Sequence, residues 1–175
     1  MAIITLKNNS LSNISSLPAG VGGKILQVVY SLNSYQNTTS STSTVDVLSA
    51  SGVTWEPTIT PSSTSSKIII FADLNGKTYA SGLADCRARF NVLYKIGAGS
   101  YTSLAGDHLY SIYSYDGNGI SFSFKQPFQY LITPSTTSAI TVKFTYNSIN
   151  AINTTEVNPS GTSANSTCIL YEVAG

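Results

Sequence analysis

The chain is poor in charge. Of its 175 residues only 10% are Asp, Glu, Lys or Arg, nine basic against eight acidic, for a net charge of +1. A protein that grips nucleic acid through phosphates needs a basic excess, so no nucleic-acid partner is expected. Histidine, tryptophan and methionine occur once each and cysteine twice. No stretch approaches eighteen consecutive apolar residues, so no transmembrane helix or membrane insertion is expected. The N-terminus lacks a basic region followed by an apolar core, which argues against a signal peptide. Cys86 and Cys168 stand 82 positions apart and match no metal-ligand spacing. Each lies in an apolar run, where free cysteine behaves as a small buried hydrophobe. Two reduced, structural thiols are expected rather than a disulfide framework.

Catalytic patterns are also missing. There is no G-x-S-x-G, no P-loop and no H-E-x-x-H. His108, in Gly106-Asp107-His108-Leu109-Tyr110, reads in one of two ways. It is either a base oriented by Asp107 (or a ligand for a metal on a symmetry axis), or a plain histidine at a loop or strand end. Catalysis needs positioned partners, and none is evident, so the second reading is preferred. The eight carboxylates are scattered and no local pattern pairs two of them. Asp116-Gly117-Asn118-Gly119 suits a turn better than a calcium loop, since the alternating ligands are absent. No enzyme activity, cofactor or metal site is expected. Five N-x-S/T triplets, at Asn8, Asn13, Asn37, Asn153 and Asn165, follow from a chain rich in Asn, Ser and Thr; they matter only in a secretory pathway.

What the chain does contain is hydroxyls and strand formers. Ser and Thr together number 48, apolar residues make up 42%, and there are eleven Tyr and six Phe. That composition excludes intrinsic disorder. Cys86, Ala88, Phe90, Val92 and Tyr94 alternate with Arg87, Arg89, Asn91, Leu93 and Lys95, and period two defines the two faces of a strand. Phe122, Phe124, Phe128 and Tyr130 share another face, interrupted by Pro127, which predicts an edge strand or a bulge. Ile140, Val142, Phe144 and Tyr146 form a third, and Cys168, Leu170, Glu172 and Ala174 alternate with Thr167, Ile169, Tyr171 and Val173. Lys24 to Tyr30 and Lys67 to Ala72 are more continuously apolar, as in strands covered on both faces. Turn signals separate these runs: Pro61-Ser62-Ser63, Asn75-Gly76, Gly97-Ala98-Gly99, Asp116-Gly117, Pro134-Ser135 and Asn158-Pro159-Ser160-Gly161. The expected fold is all-β, an antiparallel β-sandwich of the jelly-roll kind.

Residues 1–23 read as an N-terminal arm ending in a glycine-rich joint, and 24–175 as the sandwich domain. The arm's apolar residues, Ile3, Ile4, Leu6, Leu11, Ile14 and Leu17, are its candidate attachment contacts. Residues 34–44 form a polar, low-complexity loop. Tyr101, Tyr110, Tyr113 and Tyr115 cluster in one segment, and Tyr35 lies in the polar loop. Tyrosine buries area while keeping a polar tip, so these are candidate contacts of an exposed binding surface; the alternative is ordinary packing at the core edge. Arg87 and Arg89 share a strand face and read either as a carboxylate-binding pair or as a solvated outer face.

Three segments carry a family resemblance. Gly23-Lys24-Ile25-Leu26-Gln27-Val28-Val29, Ile59-Thr60-Pro61-Ser62-Ser63-Thr64-Ser65-Ser66-Lys67-Ile68-Ile69-Ile70 and the closing Ser166-Thr167-Cys168-Ile169-Leu170-Tyr171-Glu172 resemble tailed-bacteriophage virion surface proteins, the fibre heads and capsid decorations. Ile132 to Val142 fits as well. The resemblance implies a jelly roll like that of tumour necrosis factor, assembled as a homotrimer. It further implies a virion-surface location after assembly in the host bacterial cytoplasm, and a partner in the major capsid protein or another virion protein. The expected function is that of a capsid decoration or cement protein. The alternative is a receptor-binding tip of a short tail or head fibre, recognising a host surface glycan or protein. No heptad, collagen-like or β-helix repeat of a fibre shaft is present.

Overall fold

The computed structural model describes residues 24–80, 85–104, 108–113, 120–160 and 165–175. The arm residues Ile3, Ile4, Leu6, Leu11, Ile14 and Leu17, together with Tyr115 and the Asp116-Gly117 turn, lie outside the described residues. Within them the chain forms β1 (Ile25–Asn33), β2 (Asn37–Thr39), β3 (Val45–Asp46), β4 (Leu48–Ala50), β5 (Val53–Thr54), β6 (Thr58–Ile59) and β7 (Lys67–Ala80). Then come β8 (Asp85–Ile96), β9 (Thr102–Ser103), β10 (His108–Tyr113), β11 (Ile120–Ile132), β12 (Ile140–Ser148), β13 (Asn153–Val157) and β14 (Ser166–Val173).

The strands make two antiparallel sheets and a small β4–β5 hairpin. The spine of the first sheet is β7. On one side β11 pairs along its full length, from Ile120↔Ala80 to Ile132↔Ile68. On the other side β14 takes the first half of β7 and β13 the second, flanked in turn by β1 and β2. In the second sheet β8 pairs with β12, while β10 and β9 follow each other along the free edge of β8. The short β3 and β6 cap the far edge of β12.

Alternation explains the sandwich. The even-numbered residues Ile68, Ile70, Ala72 and Leu74 of β7, with Cys168 and Leu170 of β14, face Ala88, Phe90 and Val92 of β8 and Ile140, Val142, Phe144 and Tyr146 of β12 in one buried cluster. Aromatic rings bridge the sheets: Phe90 meets Phe124 edge-on at 5.3 Å, and Phe128 meets Phe144 at 6.0 Å. Trp55 is buried against Phe144 at 4.8 Å, and its indole N–H donates to Ser31 Oγ at 2.8 Å. Each large side chain buried here contributes about 1.5–3 kcal/mol of transfer free energy. The antiparallel β-sandwich of jelly-roll class expected from the alternation is the fold observed.

Three local expectations need correction. Asn75-Gly76 is not a turn; it lies inside β7, where β14 ends its pairing and β13 takes over. Gly76 leaves room for the ring of Phe124, which would collide with any Cβ, and Asn75 N–H donates to Ser166 Oγ at 3.1 Å. The 34–44 segment is not a free loop, since β2 pairs with β13 in its middle. Lys24 to Tyr30 is not covered on both faces: Ile25, Val28 and Tyr30 stand exposed. Pro127 sits in β11, which bonds β7 on one side only, so the edge position expected of a residue without an amide proton is the one it occupies.

Candidate functional site

The outer faces of the two sheets differ in kind. An antiparallel sheet with one face in water alternates apolar-in and polar-out. The second sheet keeps the pattern in composition with one exception, Leu93: its outward set is Arg87, Arg89, Asn91 and Lys95 on β8 and Thr141, Lys143, Thr145 and Asn147 on β12, of which Thr141, Thr145 and Asn147 are themselves buried. The first sheet does not. Across β11, β7, β14 and β1 the register sets Leu131, Ile69, Tyr171 and Val28 side by side in one row. The next row is Gln129, Phe71, Ile169 and Tyr30, and the third is Pro127, Asp73, Thr167 and Leu32. Val173 and Ile25 extend the face beyond the first row.

These side chains point away from the core. Tyr30 and Leu131 are each 60% exposed and Val28 53%, while Ile69, Ile169 and Tyr171 are half-buried against one another. Phe71 and Tyr171 meet edge-to-face at 5.9 Å. Within these rows charge enters only at Asp73, in the middle of β7, with Lys67 at the start of the strand beyond the first row. With strands about 4.8 Å apart and rows about 7 Å apart, the face measures on the order of 500 Å². Between β11, β7 and β14 it dips into a cavity of about 90 Å³, lined by Phe71, Asp73, Pro127, Gln129, Thr167 and Ile169.

The residues singled out from the sequence are not brought together here. Arg87 and Arg89 share the outer face of the second sheet, as their spacing requires, and are half-buried beside β10. His108 opens β10, the strand-end position expected, and the Tyr110 and Tyr113 backbones pair with Ala88 and Asp85. Tyr101 is tied down rather than presented. Its hydroxyl donates to Glu56 Oε1 at 2.6 Å, and the ammonium groups of Lys95 and Lys143 lie 4.6 and 4.4 Å from its ring centroid. Those lysines pair with Glu56 at 3.7 Å and Asp46 at 2.9 Å. Burial, then the Glu56 hydrogen bond and the adjacent carboxylates, push the Tyr101 phenol above its ordinary value.

Tyr35 is exposed on a fixed backbone. Its N–H donates to Asn33 Oδ1 at 2.9 Å, and its carbonyl accepts from Asn37 Nδ2 at 2.9 Å and Asn158 Nδ2 at 3.1 Å. Asn37 and Asn153, both within N-x-T triplets, are buried. A carboxylate lies on the core side of β14. Glu172, only 1% exposed, accepts from Ser62 N and Ser62 Oγ at 2.6 Å each and from Ser66 Oγ at 2.7 Å through one carboxylate oxygen. Burial alone would raise its carboxyl, but these donors hold it below the ordinary value. Cys86 and Cys168 are buried thiols on opposite sheets, neither in a disulfide, and burial pushes the Cys168 thiol up to about 12. Among the described residues no group of three His, Cys, Asp or Glu side chains is placed to hold a metal ion.

No protein-family model matches the chain, and no curated protein matches it in sequence. Among solved structures, the infectious bursal disease virus Gx strain is similar at 12% identity and a TM-score of 0.34, over 85% of this chain and 38% of that one. The VP2 subviral particle of the same virus is similar at 12% identity and a TM-score of 0.33, over 87% and 38%. A marine algae virus of the order Picornavirales is similar at 10% identity and a TM-score of 0.20, over 88% and 69%. The chain thus spans well under half of the bursal disease virus chains.

Proposed function

We propose that this chain is a virion structural protein that works by binding alone: a homotrimeric capsid decoration or cement protein, held on the outer shell by the major capsid protein or another virion protein. The observation that carries this reading is the apolar outer face of the first sheet. A four-stranded face with two charge-free rows is a surface made to be covered, whereas the outward set of the second sheet is mostly polar. The family resemblance of the Gly23–Val29, Ile59–Ile70 and Ser166–Glu172 segments supports the virion setting. Three linked copies gain avidity on a shell from individually weak contacts, through effective concentration. Residues 1–23 supply the attachment arm in this reading, and no catalysis, cofactor or metal takes part.

Copy number per particle tests it. Quantitative mass spectrometry of purified virions should find tens to hundreds of copies; a total of a few to a few dozen overturns decoration in favour of a fibre tip. The tip reading has one observation of its own, the exposed Tyr35 on a backbone braced by Asn33, Asn37 and Asn158. A pre-organised aromatic loses little entropy on stacking against a host glycan.

A further inference from the structure

We propose that the recess over Asp73, on the outer face of the first sheet, receives a lysine side chain of a protein partner. The inference rests on the reading that another virion protein covers this face, and it names the chemistry of the contact. The register builds the recess. Pro127, Asp73 and Thr167 stand abreast in a row of short side chains, and Gln129, Phe71 and Ile169 rise beside them in the next. The step between the two rows is the cavity of about 90 Å³. Asp73 is half-buried there. The ion pairs among the described residues are Lys77–Glu156, Lys95–Glu56 and Lys143–Asp46, so its carboxylate belongs to none of them. Lys125 of β11 stands opposite Asn75, in the row beyond.

A carboxylate in water needs no partner, but one that is covered does. Whatever closes over the apolar rows strips Asp73 of its hydration, which is costly unless a positive charge arrives with it. The acceptors select the cation. Asp73, Gln129 and Thr167 bring side-chain oxygens to the cavity from three neighbouring strands. An ammonium carries three donors about one point, whereas a guanidinium is a flat fork. Phe71, 39% exposed, walls the cavity and offers its ring to the cation and its stem. The molecule uses this grouping of ring, carboxylate and lysine elsewhere: Lys95 and Lys143 lie 4.6 and 4.4 Å from the Tyr101 centroid while paired with Glu56 and Asp46. Phe71 and Asp73 repeat two of the three parts. The source of the lysine is a polypeptide rather than a free amine. Leu32 and Tyr30 flank the recess on β1 and Leu131 lies one row away on β11, apolar ground for the residues beside the lysine.

The test uses the full chain, labelled with heavy nitrogen, and follows its amide resonances during titration with the blocked tripeptide acetyl-Leu-Lys-Leu-amide. The control peptide carries norleucine, which keeps the stem and lacks the ammonium. The Asp73, Gln129 and Thr167 amides should shift. The lysine peptide should bind at least about tenfold more tightly than the norleucine one, as a charge-assisted hydrogen bond requires. Asp73→Asn should abolish that preference while leaving the norleucine affinity unchanged, and Phe71→Leu should weaken lysine binding about threefold. Thermal melts should show Asp73→Asn as stable as the wild type; a loss of stability would mean that the carboxylate serves the fold, and overturns the site. Equal affinity for both peptides, or binding of neither, also overturns it, as does a lysine preference that survives Asp73→Asn. If n-butylammonium binds as tightly as the lysine peptide, the ligand is a free amine and a protein partner is overturned. An arginine peptide that binds more tightly than the lysine one overturns the choice of cation. Binding that appears only in Lys125→Gln shows that the chain's own lysine fills the recess, which overturns the proposal. None of these results bears on copy number per particle, so this site and the decoration reading fail separately.

Discussion

The ring of Phe124 lies where a side chain on Gly76 would begin, so β7 runs unbroken through that position only because it has no Cβ there. Phe124 stacks on Phe122 at 5.8 Å and meets Phe90 of the opposite sheet at 5.3 Å, which leaves the ring little freedom to retreat. Gly76→Ala should therefore destabilise the domain by about 1–3 kcal/mol, the usual cost of overpacking, despite the small gain expected from a stiffer unfolded chain. Urea unfolding of Gly76→Ala, Phe124→Leu and the double variant checks it. The double variant should be more stable than the sum of the two single losses predicts.

The Gly76 case shows where local reading ends. Asn-Gly is a strong hairpin signal in isolation, yet the two strands that change over beside it are far away in sequence. The faces of β8, β12 and β14 were legible because burial on one side imposes period two, and the buried Cys86, Phe90, Phe144 and Leu170 are those the alternation selects. The continuously apolar Ile68–Phe71 run was legible as a strand, but the cover expected on both of its faces is absent on the outer one, where Phe71 is 39% exposed. What was not legible is that β1, β14 and β11 line up beside it with apolar outer residues in register, since pairing is a tertiary fact. The same alternation set Glu172 on one face with Cys168 and Leu170, but nothing local revealed that this face is the core one or that Ser62 and Ser66, more than a hundred residues upstream, would receive it.

Tyr101 should behave as a structural post. Removing its ring deletes two cation–π contacts, each worth about 0.5–1 kcal/mol at a partly exposed site, along with the hydrogen bond to Glu56. Tyr101→Ala should cost about 1–2 kcal/mol, and Tyr101→Phe, which keeps the ring, about 0.5 kcal/mol. Thermal melts of the two variants separate them; equal losses would show that the ring contributes nothing beyond its hydroxyl.

The two thiols should resist modification. A thiolate is the reactive form, and burial holds the Cys168 thiol near 12 while Cys86 is wholly enclosed. An aromatic disulfide reagent at pH 8 should modify neither in the native state and both in denaturant. Mass spectrometry under non-reducing, denaturing conditions should give the fully reduced mass. A mass two hydrogens lighter would mean a bridge. Cys86→Ala or Cys168→Ala should cost on the order of 1 kcal/mol, the low end for core truncation.

Glu172 should govern the acid limb of stability. Its carboxyl is held below its ordinary value in the folded chain by the Ser62 and Ser66 donors, so the folded state binds its proton less readily than the unfolded chain. Stability from this group is then fully present above the unfolded value of about 4.3 and falls as the pH drops through the lower folded value. Glu172→Gln keeps the shape and removes the charge. It should cost about 1.5–3 kcal/mol at neutral pH, the range for hydrogen bonds to an ionised acceptor, and the loss should shrink steadily below about pH 4.3. Ser62→Ala and Ser66→Ala should each reproduce part of the loss at neutral pH, since each removes one donor and leaves the carboxylate short of partners. The measurement is unfolding free energy from pH 7 to pH 3 for wild type and Glu172→Gln. Parallel curves would show that Glu172 does not titrate differently on folding, and that the three donors hold the C-terminal strand by geometry alone.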